Sequence, residues 1–152
     1  MIDLAWAVVL WLAIMPSPEL IASVKTIVAS ARAGDLDAAY AGYRTLFAGA
    51  SFGTFERQDQ RQALRLMIHA KGVPDPPTPA MVEAHRAALP HLTKLVKSDN
   101  EPADYEMLGM CQLATGDEKS AAEVFRAALT LERERNAQSD LCGTLMKRVS
   151  ML

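Results

Sequence analysis

Strict alternation of apolar and polar residues, the pattern of a half-buried β-strand, is nowhere sustained along the chain. Apolar residues instead recur at helical spacing, and within residues 18–33 Ile21, Val24, Ile27 and Val28 fall on one side of a helix. Ala, Leu, Met, Arg, Glu and Gln, which favour helix, are abundant. The sequence therefore predicts an all-α protein.

The clearest helical pattern occupies residues 102–135, where two predicted helices are separated by a turn at Gly116 and Asp117. Glycine permits the backbone that ends the first helix, and the aspartate carboxylate can cap the second. Small residues, Gly109 and Ala121, stand where the two helices must approach closely. The positions that define the pattern are Tyr105, Leu108, Gly109, Ala121 and Phe125.

These residues and their spacing resemble a tetratricopeptide repeat (TPR). The segment departs from the family pattern at Gln112, which replaces an aromatic residue, and at Arg133, which replaces the closing proline. The second helix is therefore expected to run about one turn beyond the family norm. The resemblance implies a right-handed α-solenoid of antiparallel helix pairs.

A second copy of the pattern lies upstream, within residues 18–53. Gly34, Ala39 and Tyr43 each stand 82 residues before Gly116, Ala121 and Phe125. The first helix of this copy lacks the aromatic residue and the Leu-Gly pair of the family pattern. An 82-residue offset exceeds two repeats of 34 residues by about 14, so the middle repeat is expected to carry an insertion.

That middle repeat is predicted at residues 54–101, with helices at 55–71 and 80–97 and a rigid loop at 72–79 that contains four prolines. Ala88 and Leu92 match the spacing of Ala121 and Phe125. The first helix is expected to be lengthened by the insertion. Pro90 is expected to kink the second helix or to make it restart.

Residues 139–151 are predicted to form a C-terminal capping helix, so that one repeat domain covers residues 16–152. One side of this helix is apolar and the other carries Lys147 and Arg148. The apolar side comprises Leu141, Cys142, Leu145, Met146 and Val149.

Residues 4–15 form an unbroken apolar run that contains both tryptophans. As a helix the run would reach about 18 Å, against about 30 Å for a bilayer core, and no Lys or Arg precedes it. Three interpretations stay open for this segment. It is a membrane anchor or signal, it is a mis-assigned start upstream of Met15, or it packs on the repeats or on a partner subunit.

Composition and charge restrict the classes of function that are expected for this chain. A net charge of −2 gives no electrostatic reason to expect a nucleic-acid partner. The two cysteines lack a C-x-x-C spacing and the three histidines lack a metal spacing, so no metal, cofactor or catalytic site is expected. We expect Cys111 to be a buried small hydrophobe and the histidines to lie at the surface or to be partly packed. The expected compartment is the cytoplasm, with membrane association as the alternative.

The predicted function is that of a non-catalytic adaptor or scaffold, monomeric or homodimeric, which binds a partner protein or peptide. The resemblance implies binding along the first helix of each repeat. In the middle repeat that helix carries a polar and basic ladder that could hold an acidic peptide; its members are Gln58, Arg61, Gln62, Arg65 and His69. The alternatives are a small secretion-type chaperone and a membrane-associated assembly factor that is anchored by residues 4–15.

Overall fold

The computed structural model describes residues 17–152, and this range contains seven α-helices, one short 3₁₀ turn and no strand. The all-α prediction is therefore confirmed. The apolar segment at residues 4–15, with the three interpretations of it, lies outside the described residues. The helices are α1 (Pro18–Arg32), α2 (Leu36–Ala48), α3 (Arg57–Ile68), α4 (Pro79–Asp99), α5 (Pro102–Ala114), α6 (Glu118–Asn136) and α7 (Asp140–Ser150).

The chain divides into two compact units, Met1–Ala87 and Ala88–Leu152, so the division falls within α4. The first unit contains the packed pair α1 and α2, followed by the 3₁₀ turn and α3. In the second unit α6 packs against both α5 and α7. A single domain over residues 16–152 stays a prediction.

In the first unit, α1 and α2 pack through a glycine on the second helix. The side chains of Leu20, Val24 and Ile27 on α1 are buried. A β-carbon at Gly42 would lie 2.6 Å from Ile27 Cγ1, which is closer than real β-carbons approach. The absent side chain at position 42 is therefore what admits Ile27 between the helices.

In the second unit, α5 and α6 pack through a glycine on the first helix. A β-carbon at Gly109 would lie 2.5 to 2.9 Å from three ring atoms of Phe125, and that ring is fully buried. Position 109 lies 82 residues after position 27. Each hairpin thus pairs a glycine with a large side chain on the facing helix, but Gly42 corresponds to position 124 and not to Phe125, so the two contacts are offset by one residue on the second helix.

The turns of the two hairpins have the same geometry. Gly34 and Gly116 have φ angles of +82° and +87°, which glycine adopts without strain. The backbone N–H of Asp35 and of Asp117 donates to the carbonyl five residues earlier, at 3.0 and 2.8 Å. Each of these carboxylates also accepts the N–H three residues later, at 3.0 and 3.1 Å. The predicted turn and N-cap are present in both copies.

The nine residues predicted to pack the repeats lie largely in the interior. Tyr105 is half-buried, and its hydroxyl donates to Asn100 Oδ1 at 2.7 Å. The other eight are buried, namely Ala39, Tyr43, Ala88, Leu92, Leu108, Gly109, Ala121 and Phe125. As expected, α6 is long, with 19 residues against 13 in α2.

The middle segment corrects several predictions. The first helix was predicted at residues 55–71 and as lengthened, but α3 has 12 residues, fewer than the 15 of α1. Phe52 explains its late start, because this buried ring lies 5.0 Å from Phe47 and 6.1 Å from Phe55 and holds a 3₁₀ turn ahead of the helix. The additional residues therefore lie in the connections on either side of α3.

The second helix of the middle segment, α4, begins at Pro79 and continues through Pro90 to Asp99 without restarting. Proline is favoured at the first helical position, and the Thr78 hydroxyl accepts the Met81 N–H at 3.3 Å. Of the two outcomes predicted at Pro90, a kink or a restart, the restart is therefore wrong and the kink stays a prediction. Pro90 itself is exposed, so its ring lies at the surface of the helix.

Helix α7 lies where the sequence predicts a capping helix. The Ser139 hydroxyl accepts the Cys142 N–H at 3.0 Å and donates to Glu132 of α6 at 2.7 Å. Cys142 and Leu145 are buried, but Met146, which was predicted on the same side, is 49% exposed. Position 146 lies one helical step of about 100° past Leu145 and so falls outside the packed face.

Candidate functional site

The predicted ladder on α3 does not form a continuous surface. Gln58 and Arg65 are exposed, whereas Gln62 and His69 are half-buried. Arg61 is only 8% exposed and makes further contacts within the fold. The structure thus brings two of the five side chains fully to the surface, and their contact with a partner stays a prediction.

The reason is that α3 is buried around most of its circumference. As the helical period predicts, the opposite side holds Leu64, Met67 and Ile68 in the core. Gln60, about 200° round the helix from Gln58 and beside Met67, is also buried, and its amide donates to the carbonyl of Phe55 at 2.8 Å. Of the predicted ladder, Arg61 is the member that falls within the buried part of the helix.

A different concavity in the first unit combines apolar walls with polar groups. It has a volume of about 320 Å³ and is formed by the end of α1, the start and middle of α2, and the end of α3 with the residues after it. Most of its lining is aliphatic or aromatic. We call it the apolar pocket; its lining residues are Val28, Ala31, Arg32, Leu36, Ala39, Tyr40, Tyr43, Leu66, Met67, Ala70, Lys71 and Gly72.

The polar groups of the apolar pocket are two phenols and two cations. Tyr40 and Tyr43 are 5% and 8% exposed, and within residues 17–152 neither hydroxyl has a hydrogen-bond partner. Neither hydroxyl oxygen is sealed from solvent. Burial raises the pKa of both tyrosines above 10.0, and for Tyr43 the neighbouring Tyr40 raises it further. Both side chains therefore remain neutral hydrogen-bond donors at physiological pH.

The raised pKa of Tyr43 predicts a loss of stability in alkali. The folded state keeps a proton that the unfolded state releases above pH 10.0, so this stability is present below pH 10 and falls as the pH rises. At pH 11 the loss due to Tyr43 should be about 1 kcal/mol, and a Tyr43→Phe variant should lack it. Urea denaturation at pH 8 and pH 11 measures both proteins. Equal losses in the two proteins would contradict the prediction.

A second, more open groove of about 600 Å³ lies on another side of the α1 and α2 pair. Glu19, Ser23 and Thr26 of α1 face Ala41, Gly42 and Thr45 of α2 across it, and Phe52 and Phe55 close one end. These side chains are mostly small and polar. Its polar lining consists of a carboxylate and hydroxyl groups and contains no Lys or Arg.

Burial shifts the pKa of two titratable groups outside the apolar pocket, His85 and Cys111. His85 was predicted at the surface or partly packed, but it is 4% exposed. Its Nδ1 lies 2.8 Å from the Met81 carbonyl, its ring lies 6.2 Å from that of Tyr40, and burial lowers its pKa. Cys111 is buried as predicted, and burial raises its pKa to about 12. Its thiol is therefore protonated at neutral pH.

Among residues 17–152, no three His, Cys, Asp or Glu side chains are arranged to hold a metal ion. No helix in this part of the chain combines the length and the apolar character needed to cross a membrane. No protein-family model, curated protein or solved structure matches the chain.

Sequence reasoning missed the apolar pocket because three helices contribute to it. Tyr43 was predicted, but as a packing residue, and Tyr40, Arg32 and Lys71 carried no motif. Leu36, which lines the pocket and is 37% exposed, is an apolar residue in the first turn of α2, but its exposure is visible only in the structure.

Proposed function

We propose that the chain is a TPR-type repeat protein, with helix pairs at residues 18–53, 54–101 and 102–135 stacked into a right-handed solenoid and α7 as its cap. The observation that carries this proposal is the recurrence of one hairpin after 82 residues. Its turn glycine and its aspartate cap recur at equivalent positions, and in both copies a glycine admits a large side chain between the two helices. Such a repeat is typical of folds in which each unit packs mainly on its neighbours.

The proposed activity is non-catalytic binding of a partner protein or peptide. Stacked repeats build an extended surface, and this is what their fold offers to a partner. In this chain the exposed side chains Gln58 and Arg65 and the apolar pocket supply charged and apolar contacts in the first unit. Polar and apolar groups close together are what a peptide needs for both orientation and affinity.

A selection from a random peptide library on the immobilised full chain tests this function. We expect a consensus peptide that binds the folded chain with micromolar affinity in fluorescence polarisation and does not bind the heat-denatured chain. If the α3 surface takes part, Arg65→Glu should weaken binding of an acidic consensus about threefold or more. Arg126→Glu, an exposed change on α6, is the matched control. Failure to enrich any peptide over the denatured chain would contradict the proposal.

A further inference from the structure

The apolar pocket has room for one large apolar side chain. Its volume of about 320 Å³ corresponds to about ten water molecules at about 30 Å³ each. Leu36, Leu66 and Met67 line it together with the two tyrosines. Moving an aromatic or branched aliphatic side chain from water into this pocket lowers the free energy in proportion to the apolar surface that is removed from contact with water.

The positively charged residues that line the apolar pocket favour an anionic group beside that apolar side chain. Arg32 and Lys71 are among its lining residues, and none of the twelve is a carboxylate. Arg32 is exposed, and among the described residues no carboxylate forms an ion pair with it. The Tyr40 and Tyr43 hydroxyls are further donors, since neither is used within residues 17–152. The Arg32 guanidinium and the two hydroxyls can each donate to a carboxylate oxygen.

We infer that the apolar pocket takes one bulky apolar side chain from a partner polypeptide, with a neighbouring Asp or Glu carboxylate of that polypeptide held at Arg32. This inference rests on the proposed function and names the chemistry of the partner. It places the contact at the turn end of the α1 and α2 hairpin, where the end of α3 also lines the pocket. The tyrosine hydroxyls then accept or donate hydrogen bonds to the same peptide segment.

The probe that tests the inference is N-acetyl-Phe-Glu-amide, compared with N-acetyl-Phe-Gln-amide. Both are titrated into the isotope-labelled full chain, and the backbone amide resonances of the pocket residues are followed by NMR. The acidic probe should bind about threefold more tightly than the neutral one, as an exposed ion pair allows. In Arg32→Gln that preference should vanish, whereas Lys25→Gln, an exposed cation on the same helix outside the pocket, should retain it.

A blocking variant tests the location separately from the charge. Ala31 is exposed and lines the pocket, so Ala31→Trp should fill its mouth and abolish binding of both probes. Ala29→Trp, exposed on the same helix but not in the lining, should leave both affinities unchanged. The two tryptophan variants should unfold at the same temperature, which would show that Ala31→Trp prevents binding without unfolding the protein.

Several results would overturn the inference. These are equal affinities for the two probes in the unaltered chain, binding that survives Ala31→Trp, or tighter binding of octanoate at the same resonances. A further one is a shift of tryptophan emission on saturation, because both tryptophans lie in residues 4–15 and a shift would make that segment the occupant. If library peptides bind the Ala31→Trp variant as tightly as the unaltered chain, this inference fails and the proposed function stands. If no peptide binds, the proposed function fails first.

Discussion

Replacing Gly109 with alanine is expected to destabilise the protein by about 2 kcal/mol, although alanine favours helix by about 1 kcal/mol over glycine. The added carbon would lie 2.5 Å from Phe125 Cε1. Phe125 is fully buried and belongs to the core of the second unit, with Ala121 and Leu145, so its ring has no open space to enter. Guanidinium denaturation followed by circular dichroism measures the change.

The matched control is Gly143→Ala in α7. A β-carbon there has no atom within 4 Å, so the same substitution should be neutral or stabilise by up to about 1 kcal/mol. Combining Gly109→Ala with Phe125→Leu should cost less than the sum of the single changes, because the smaller side chain relieves the clash. A Gly109→Ala protein as stable as the Gly143→Ala protein would refute the close contact.

The sequence predicted the second hairpin better than the first, for a physical reason. At the close contact of α5 and α6 the glycine lies on the first helix, as the family pattern has it. In the first hairpin Ile27 occupies that position, and the missing volume is provided by Gly42 on the facing helix. A pattern compared one position at a time treats Ile27 as a mismatch. Packing requires only that the two side chains facing each other across the contact together fill the available space.

The α3 ladder and the apolar pocket depend on contacts between helices that a sequence pattern does not predict. A helical period identifies the face of α3 opposite its core residues, and Leu64 and Met67 are buried as predicted. It cannot show which other elements cover the remaining face, and the burial of Arg61 is the result. The apolar pocket draws on residues from 28 to 72, so its chemistry exists only once three helices have met.

Replacing Arg148 with methionine is expected to destabilise the second unit by about 2–3 kcal/mol. Arg148 Nε donates to Glu106 Oε1 at 2.8 Å, and the Glu106 side chain is only 7% exposed. The guanidinium also lies 5.7 Å from the centre of the Phe125 ring, which adds a cation–π contact. Methionine keeps much of the apolar stem but removes a charge that a buried carboxylate needs. Guanidinium denaturation again provides the measurement.

An exposed pair of the same residue types provides the comparison for this prediction. Arg135 donates to Glu101 at 2.7 Å, but the two side chains are 46% and 45% exposed. Since water solvates both charges, Arg135→Met should destabilise the protein much less than Arg148→Met does. A double-mutant cycle with Glu106→Gln and Arg148→Met should give a coupling of about 1 kcal/mol or more. Equal costs at positions 148 and 135 would mean that burial does not strengthen the link between α5 and α7.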